Sequence, residues 1–337
     1  MSAQTTADLY RIFGAEMSPY SVKVRSYFRY KAIPYQWILR NAASQAEYQA
    51  HAKLPIVPLV VTPEHAGIQD STPTIDQMEK LFPQPSIHPE DGIARFVSAL
   101  IEEFADEWGN KWMFHYRWTR DVDQVTSAGR IARMQAPQMS EQDHSDFAGK
   151  IRARMANRLW YVGSNGQTKP QIERGFADML ALLDAHLATR PYLFGARPAY
   201  GDFALWGQFY QMWRDPTPGA LIEGRALHVL DWIHRMLWPR AEGTFEGWES
   251  LAPTLMPILK TQVGGKFMPW TLANEKALAE GKEEFSVRLG DELWTQKPQK
   301  YHARSLGMLR AKYREVSDKA ALDPILAEAG CLTALRT

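Results

Sequence analysis

Ser18 is the residue of this chain best placed to do chemistry, because it lies between a predicted strand and a predicted helix. The apolar residues 9–13 predict the strand, and Pro19 followed by a helical pattern from Val22 predicts that the helix begins at the turn between them. The first N–H groups of a helix are unpaired and its N-terminus carries partial positive charge, so this turn can hold an anion. The hydroxyl of Ser18 could therefore stabilise an ionised thiol.

Such a thiol has to come from another molecule. The chain of 337 residues has one cysteine, Cys331, near its far end. A single cysteine excludes an intramolecular disulfide and indicates a reducing compartment, so we expect a cytoplasmic protein. Residues 1–8 are polar and lack the apolar core of a signal peptide. No apolar run approaches the roughly 20 residues that span a bilayer.

The overall composition argues against a nucleic-acid partner. The 39 basic residues nearly balance the 38 acidic ones, so the chain has no basic footprint for phosphates. Hydrophobic residues make up 45% of the chain, which is ordinary for a globular protein. The length predicts two domains with an appendage.

Residues 55–58, Pro-Ile-Val-Pro, form a second segment that could bind a ligand. They precede an apolar strand predicted at residues 59–61. Proline cannot donate to a sheet ladder, so Pro58 has positional meaning at the start of this strand. A cis Val57–Pro58 bond would turn the N–H and C=O of Val57 outward, where an extended peptide could pair with them.

Asp70 and Ser71 form the third segment, at the start of the next predicted helix. Their carboxylate, hydroxyl and free N–H groups could hold the charged end of a ligand. One thiol peptide could therefore place its main chain along Val57, its charged end at Asp70 and Ser71, and its sulfur beside Ser18.

These segments are set in an alternation of strand and helix patterns that predicts a small mixed sheet with helices on its faces. The predicted strands are residues 9–13, 35–39, 59–61 and 67–69, and the predicted helices are residues 21–31, 44–51 and 74–82.

The proline-rich residues 83–89 predict a linker, after which the patterns are helical. Apolar residues recur at helical spacing from Ile93 to Trp112, and further helices are predicted at residues 140–159, 171–187, 202–212 and 226–237. In the last stretch we predict helices at residues 251–261, 272–280, 306–316 and 322–329, with a hairpin that turns at Gly290-Asp291.

Taken together, these features resemble the glutathione transferase superfamily over residues 8–236. Each motif is weak alone, but their order and spacing are specific. In chain order the motifs are Ser-Pro-Tyr-Ser at 18–21, Ile-Val-Pro-Leu at 56–59, Asp-Ser at 70–71, Tyr-Leu-Phe-Gly-Ala-Arg-Pro at 192–198 and Gly-Asp-Phe-Ala at 201–204.

The resemblance implies a fold and an assembly. It implies a thioredoxin-like α/β domain at residues 1–86, which binds glutathione, and an all-helical domain at residues 87–240. Residues 241–337 extend beyond the usual family length, and we expect this C-terminal extension to pack on the helical domain. A homodimer is the expected assembly.

The resemblance also implies residue roles for glutathione as co-substrate. Ser18 would be catalytic, donating a hydrogen bond to the glutathione sulfur and favouring the thiolate. The thiolate would attack a hydrophobic electrophile, with conjugation, isomerisation, dehalogenation and ether cleavage all open. The implied glutathione-binding residues are Ser18, Tyr20, Val57, Pro58, Asp70 and Ser71.

The aromatic segment that contains Trp112, His115 and Tyr116 has two interpretations. Its position after the first long helix of the helical region is where this superfamily builds its second-substrate site, so these residues could form the acceptor pocket. Aromatic clusters are also common in protein cores.

One departure from the family pattern concerns the contact with the glycyl end of glutathione. Ile56 stands where many relatives carry a lysine for the glycyl carboxylate of glutathione, so Lys53 or His51 would have to supply that contact. The acidic cluster Glu102, Glu103, Asp106 and Glu107 is interpreted as a solvated helix face. It has no His or Cys partner at metal-ligand spacing, so no metal is predicted.

The same fold supports two other functions. A thiol–disulfide reductase would need cysteine at the turn, and Ser18 and Ser21 argue strongly against it. A non-catalytic binding or interaction protein remains the alternative, because of the long tail and of Ile56.

Overall fold

The structure, a computed structural model, describes residues 9–336. Residues 1–8, with the expectation that they contain no signal peptide, lie outside this range. No helix of the described range is both long enough and apolar enough to cross a bilayer.

The first part of the chain forms the predicted mixed sheet. The strand order is β2-β1-β3-β4, with β1 parallel to β2 and antiparallel to β3, and β3 antiparallel to β4. The elements are β1 (Tyr10–Gly14), α1 (Pro19–Tyr30), β2 (Tyr35–Leu39), α2 (Gln45–His51), β3 (Leu59–Val61), β4 (Gly67–Gln69) and α3 (Ser71–Leu81). The order predicted from the sequence is confirmed.

Side chains of alternate strand residues pack on opposite faces of this sheet, as the period of two requires. Ile12 and Val60 join the large core shared with the helices. Phe13 and Leu59 form a small core with Tyr48 of α2 on the other face. The sheet is therefore buried on both faces, which fixes the turn after β1 and the start of α1.

The second part is helical, as predicted. Helix α9 is its centre: nearly all of its residues are buried, and it packs on α1 and α4. The elements are α4 (Gly92–Phe104), a π-helical segment (Ala105–Gly109), α5 (Asn110–Thr119), α6 (Asp121–Gln135), α7 (Glu141–Ala156), a 3₁₀ turn (Leu159–Val162), α8 (Lys169–Leu187), α9 (Tyr200–Trp213), α10 (Pro216–Arg225) and α11 (Leu227–Arg235). Helices α6 and α10 were not predicted.

The C-terminal extension folds back on the helical part. Helix α12 packs on α8, and α14 packs on α4 and α13. The elements are α12 (Trp248–Ile258), a second π-helical segment (Leu259–Phe267), α13 (Met268–Ala279), β5 (Phe285–Leu289), β6 (Glu292–Gln296), α14 (Lys300–Arg314), α15 (Lys319–Glu328) and α16 (Leu332–Arg336). The predicted hairpin is present, with Gly290 at a φ of 64°. The domain boundaries after residues 86 and 240 stay predictions.

We predict that Gly264→Ala loosens the C-terminal extension. A Cβ atom at Gly264 would collide with the carbonyl oxygen of Ala329, just after α15. Backbone cannot move aside as a flexible side chain can, so we expect a loss of about 2 kcal/mol or more in the free energy of unfolding, measured by urea denaturation.

Gly307→Ala is the matched control. Gly307 lies in α14 with open space around its Cα, so alanine should leave stability unchanged or raise it by up to about 1 kcal/mol. A Gly264→Ala variant as stable as Gly307→Ala would show that the approach to Ala329 does not constrain the fold.

Candidate functional site

A cavity of about 800 Å³ lies where the three parts of the chain meet. The sheet region contributes Tyr20, Val57 and Asp70 to its wall, and helix α14 of the extension contributes Tyr301 and His302. Between them lie residues of α4, the first π-helical segment and α5. The extension is therefore part of the wall, although no role could be assigned to it from the sequence.

The cavity collects only some of the predicted glutathione-binding residues. Tyr20, Val57 and Asp70 line it, whereas Ser18, Pro58 and Ser71 are not among its lining residues. Pro58 and Ser71 are buried, and Ser18 is half-buried at the start of α1.

Ser18 is the N-cap of α1. Its Oγ accepts the N–H of Ser21 at 3.2 Å. The proton of the Ser18 hydroxyl is donated to no acceptor within residues 9–336. Capping thus uses only the acceptor side of this hydroxyl, and its donor side is available to a ligand.

Tyr20 is the hydroxyl of this turn that reaches the cavity wall, but its hydrogen bonds are satisfied. It donates to the carbonyl oxygen of Asp106 at 3.0 Å and accepts from Nδ2 of Asn110 at 3.3 Å. Burial, reinforced by the charges of Asp106 and Glu107, raises the pKa of Tyr20 well above its usual range. Tyr20 therefore stays protonated, with its proton already engaged.

Val57 presents unpaired backbone to the cavity. The Val57–Pro58 peptide bond is cis, as expected. Within residues 9–336 neither the N–H nor the C=O of Val57 forms a backbone hydrogen bond. An extended ligand could pair with both groups.

Asp70 adopts a backbone conformation that few residues other than glycine tolerate, with φ 79° and ψ 149°. Such strain is concentrated at functional sites. The Asp70 carboxylate accepts the N–H of Ser71 at 2.7 Å and the hydroxyl of Tyr301. Burial raises the pKa of Asp70, and the bond from Ser71 opposes this only in part.

The acidic cluster is buried, contrary to the expectation of a solvated helix face. Glu102, Glu103 and Asp106 are 2%, 7% and 8% exposed, because Lys23 of α1 pairs with Glu102 and α14 packs on α4. A histidine also lies beside the cluster: Nδ1 of His302 is 3.3 Å from Oε2 of Glu107. This proximity was missed because His302 belongs to the distant extension.

Lys111 is enclosed by tryptophan rings at the cavity wall. Its Nζ lies 3.9 Å from the ring centroid of Trp270, 5.4 Å from that of Trp108 and 5.7 Å from that of Trp294. Its hydrogen-bond partner is Oε1 of Gln296, at 3.3 Å. Burial lowers the pKa of Lys111 to about 7, although the charge of Glu107 opposes the shift. Ammonium and free amine are therefore both populated near neutral pH.

The structure corrects the expected acceptor pocket. Trp112, His115 and Tyr116 are 1%, 0% and 3% exposed, and none of them lines the cavity. Trp112 and Tyr116 pack against Phe176 of α8, and His115 is held by Glu173 of the same helix at 3.1 Å. These side chains face the interior of the helical part, because the face of α5 that carries them packs on α8.

One signal in the sequence could have pointed to the extension. His302, Leu306 and Leu309 are spaced by four and then three residues, which predicts one buried helix face. All three are buried in α14. A histidine on such a face, next to Tyr301 and Ser305, marks it as a candidate cavity wall.

Comparisons with known proteins identify the family of the chain. The family model for the glutathione S-transferase N-terminal domain matches residues 12–86, and the model for the C-terminal domain matches residues 153–240. The chain belongs to the glutathione S-transferase superfamily. No match was found among curated proteins.

Solved structures of this family are similar over most of the chain. A Tau class glutathione S-transferase from mango, Mangifera indica, has 16% identity, covers 69% of this chain and 89% of its own, and gives a TM-score of 0.41. The β-etherase LigF from Sphingobium sp. strain SYK-6 has 15% identity, with 67% and 94% covered and a TM-score of 0.49. A glutathione S-transferase from Methylobacterium radiotolerans, in complex with glutathione sulfonate, has 18% identity, with 73% and 93% covered and a TM-score of 0.40.

We predict that Lys111→Met stabilises the protein at neutral and acidic pH. The pKa of Lys111 is about 7 when folded and near 10.5 when unfolded. Between these pH values the unfolded chain holds one more proton at this site, so the free energy of unfolding rises with pH across that window. Below pH 7 the variant should have a free energy of unfolding about 1–3 kcal/mol larger than that of the wild type, once the loss of the contacts with Gln296 and the tryptophan rings is subtracted. This difference should vanish near pH 10.

Urea denaturation at several pH values measures this difference, with Lys276→Met as control because the side chain of Lys276 is 74% exposed. A Lys111→Met variant that is less stable than the wild type at every pH would show that the tryptophan rings around Lys111 stabilise a fully charged ammonium.

Proposed function

We propose that this protein is a glutathione transferase that binds glutathione and activates its thiolate through Ser18 for attack on a hydrophobic electrophile. The sequence expectations of a cytoplasmic homodimer are part of the same proposal. One observation carries it. In a chain of this superfamily, the unpaired backbone of Val57 lines the same cavity as Asp70, whose backbone is strained.

The peptide part of glutathione would lie along Val57. Its cysteinyl N–H and C=O would pair with the C=O and N–H of Val57, which are free within the described residues. Its γ-glutamyl ammonium would pair with the carboxylate of Asp70. The hydroxyl of Tyr301 now bonds that carboxylate, so glutathione would displace it or share the group with it.

Arg40 is the best candidate to bind the glycyl carboxylate of glutathione. It would take the role of the lysine that many relatives carry at the position of Ile56. Arg40 lines the cavity with Ile56, whereas Lys53 and His51 do not. Its guanidinium lies 4.3 Å from the ring centroid of Tyr48, and its buried Nε has no hydrogen-bond partner within the described range. A planar guanidinium held in this way suits bidentate recognition of a carboxylate.

Of the hydroxyls of Ser18 and Tyr20, that of Ser18 is better suited to donate a hydrogen bond to the sulfur of glutathione. Its proton is uncommitted, and the partial positive charge at the N-terminus of α1 adds positive potential. The proton of Tyr20 is donated to the backbone of Asp106. A hydrogen bond donated to the thiolate lowers the pKa of the thiol and multiplies the nucleophile present at neutral pH.

The electrophile would occupy the part of the cavity between the helical part and the extension. Trp270 and Leu309 supply apolar wall there, and Arg304 supplies positive charge. Such a pocket suits an apolar molecule with a polar or anionic group.

We predict that Ser18→Ala lowers kcat by about a hundredfold while glutathione affinity changes little, because the donor acts on the developing thiolate more than on binding. At saturating glutathione, the pH profile of kcat/KM for the electrophile should move upward by about 1–2 pH units, because the bound thiol loses its donor. Steady-state kinetics with a dinitrophenyl halide would measure both effects.

Ser21→Ala is the matched control, because Ser21 is fully buried and its Oγ accepts the N–H of Ala15. This variant should be less stable by about 1 kcal/mol yet retain its turnover. Equal turnover of the Ser18→Ala variant and the wild type would remove Ser18 from the mechanism.

We further predict that Arg40→Met weakens glutathione binding about tenfold or more, because a charge-assisted bond to the glycyl carboxylate is lost while the packing on Tyr48 is kept. Isothermal titration calorimetry measures this, with Lys53→Met as control. Equal effects of the two substitutions would disprove the role of Arg40. Absence of heat from the wild type up to millimolar glutathione would instead favour the non-catalytic alternative.

A further inference from the structure

Three potential metal ligands converge on the cavity wall from two distant parts of the chain. Glu103 lies in α4, Glu107 in the π-helical segment that follows, and His302 in α14 of the extension. One ligand atom from each lies within 4.8 Å of the other two. All three residues line the cavity, so a bound ion could be reached from it.

One oxygen of the Glu103 side chain is buried without a partner. The residue is 7% exposed, and its Oε1 is buried without a hydrogen-bond partner. Desolvating a carboxylate oxygen without a donor or a cation is costly. A cation bound between this oxygen and the other two ligand atoms would give the oxygen a partner.

Two of the basic side chains nearby are engaged elsewhere, whereas Arg304 of the cavity wall is exposed. Lys23 forms its ion pairs with Glu102 and Asp106, and Lys111 is held in its ring of tryptophans. Within residues 9–336 no lysine or arginine forms an ion pair with Glu103 or Glu107. The two carboxylates therefore have room for a cation at this point.

His302 has the hydrogen bonds of a metal-binding histidine. Its Nδ1 lies 3.3 Å from Oε2 of Glu107 and 3.3 Å from Oγ of Ser305, and its Nε2 contacts the hydroxyl oxygen of Thr271. A histidine that binds a metal through one ring nitrogen commonly donates its other N–H to a fixed acceptor. Thr271 can be that acceptor, which leaves the lone pair of Nδ1 on the side of Glu107 and Ser305.

We propose that Glu103, Glu107 and His302 bind a divalent transition-metal ion, with Zn²⁺ as the best match. Two carboxylates and one imidazole suit borderline ions such as Zn²⁺ better than Mg²⁺, which prefers oxygen ligands alone. Three protein ligands leave at least one coordination position open to the cavity, as in zinc sites that bind a water or a substrate atom. The site does not depend on the glutathione proposal, because none of its ligands is assigned to glutathione.

Calorimetric titration of the full-length, metal-stripped protein with Zn²⁺ tests the site. We expect one ion per chain with a dissociation constant of micromolar or tighter, and weaker binding of Mg²⁺. Glu103→Gln keeps the size of the side chain and should weaken Zn²⁺ binding more than about tenfold. His302→Gln should do the same, and each variant's folding is checked by circular dichroism.

His115→Gln is the matched control, because His115 is also buried beside a glutamate but lies away from the cavity. It should bind Zn²⁺ like the wild type. Absence of stoichiometric Zn²⁺ binding by the wild type would overturn the proposal. Unchanged affinity in the folded Glu103→Gln variant would also overturn it, since it would locate the ion elsewhere. Co²⁺ provides an independent readout, because its visible absorption should appear with the wild type and be lost or altered in Glu103→Gln.

Discussion

The arrangement of the cavity depends on the pairing of the buried Lys23 ammonium with two carboxylates. Its Nζ lies 2.6 Å from Oε1 of Glu102 and 2.6 Å from Oδ2 of Asp106, with Oγ1 of Thr72 at 3.3 Å. Burial alone would lower the pKa of Lys23, but the two carboxylates raise it. One lysine of α1 thus joins α3, α4 and the first π-helical segment. Without it two carboxylates would be left buried, a loss on the order of 3–5 kcal/mol. The wider turn of the π-helical segment sets the register in which Asp106 meets Lys23 while Glu107 meets the extension.

The sheet region could be predicted from the sequence because its signals are local. Strands β2, β3 and β4 have the bounds expected from alternation and from the prolines around them. The turn at Ser18 follows from the proline and the helical pattern beside it. The cavity could not be predicted in the same way, because its wall depends on contacts between distant residues. Asp70 and Tyr301 are 231 positions apart, and no local pattern specifies such a meeting.

The aromatic residues show the same limit at closer range. Trp108 and Trp112 are neighbours on one helical face, and both are almost fully buried. Trp108 nonetheless belongs to the ring around Lys111, whereas Trp112 packs against Phe104 and Phe209 within the helical core. The difference is made by the extension, which brings Trp270 and Trp294 to one side only. Composition indicates that aromatic side chains will be buried, but it does not indicate which of them surround a buried charge.

The bond between Tyr301 and Asp70 ties the last part of the chain to the first. Tyr301 is 51% exposed and stands in the first turn of α14, next to His302. A molecule that displaces Tyr301 from Asp70 would break this tie, while Asn274 still holds Gln299 at the start of α14. Occupancy of the Asp70 end of the cavity would therefore bear on the helix that carries His302, without any rearrangement of the sheet.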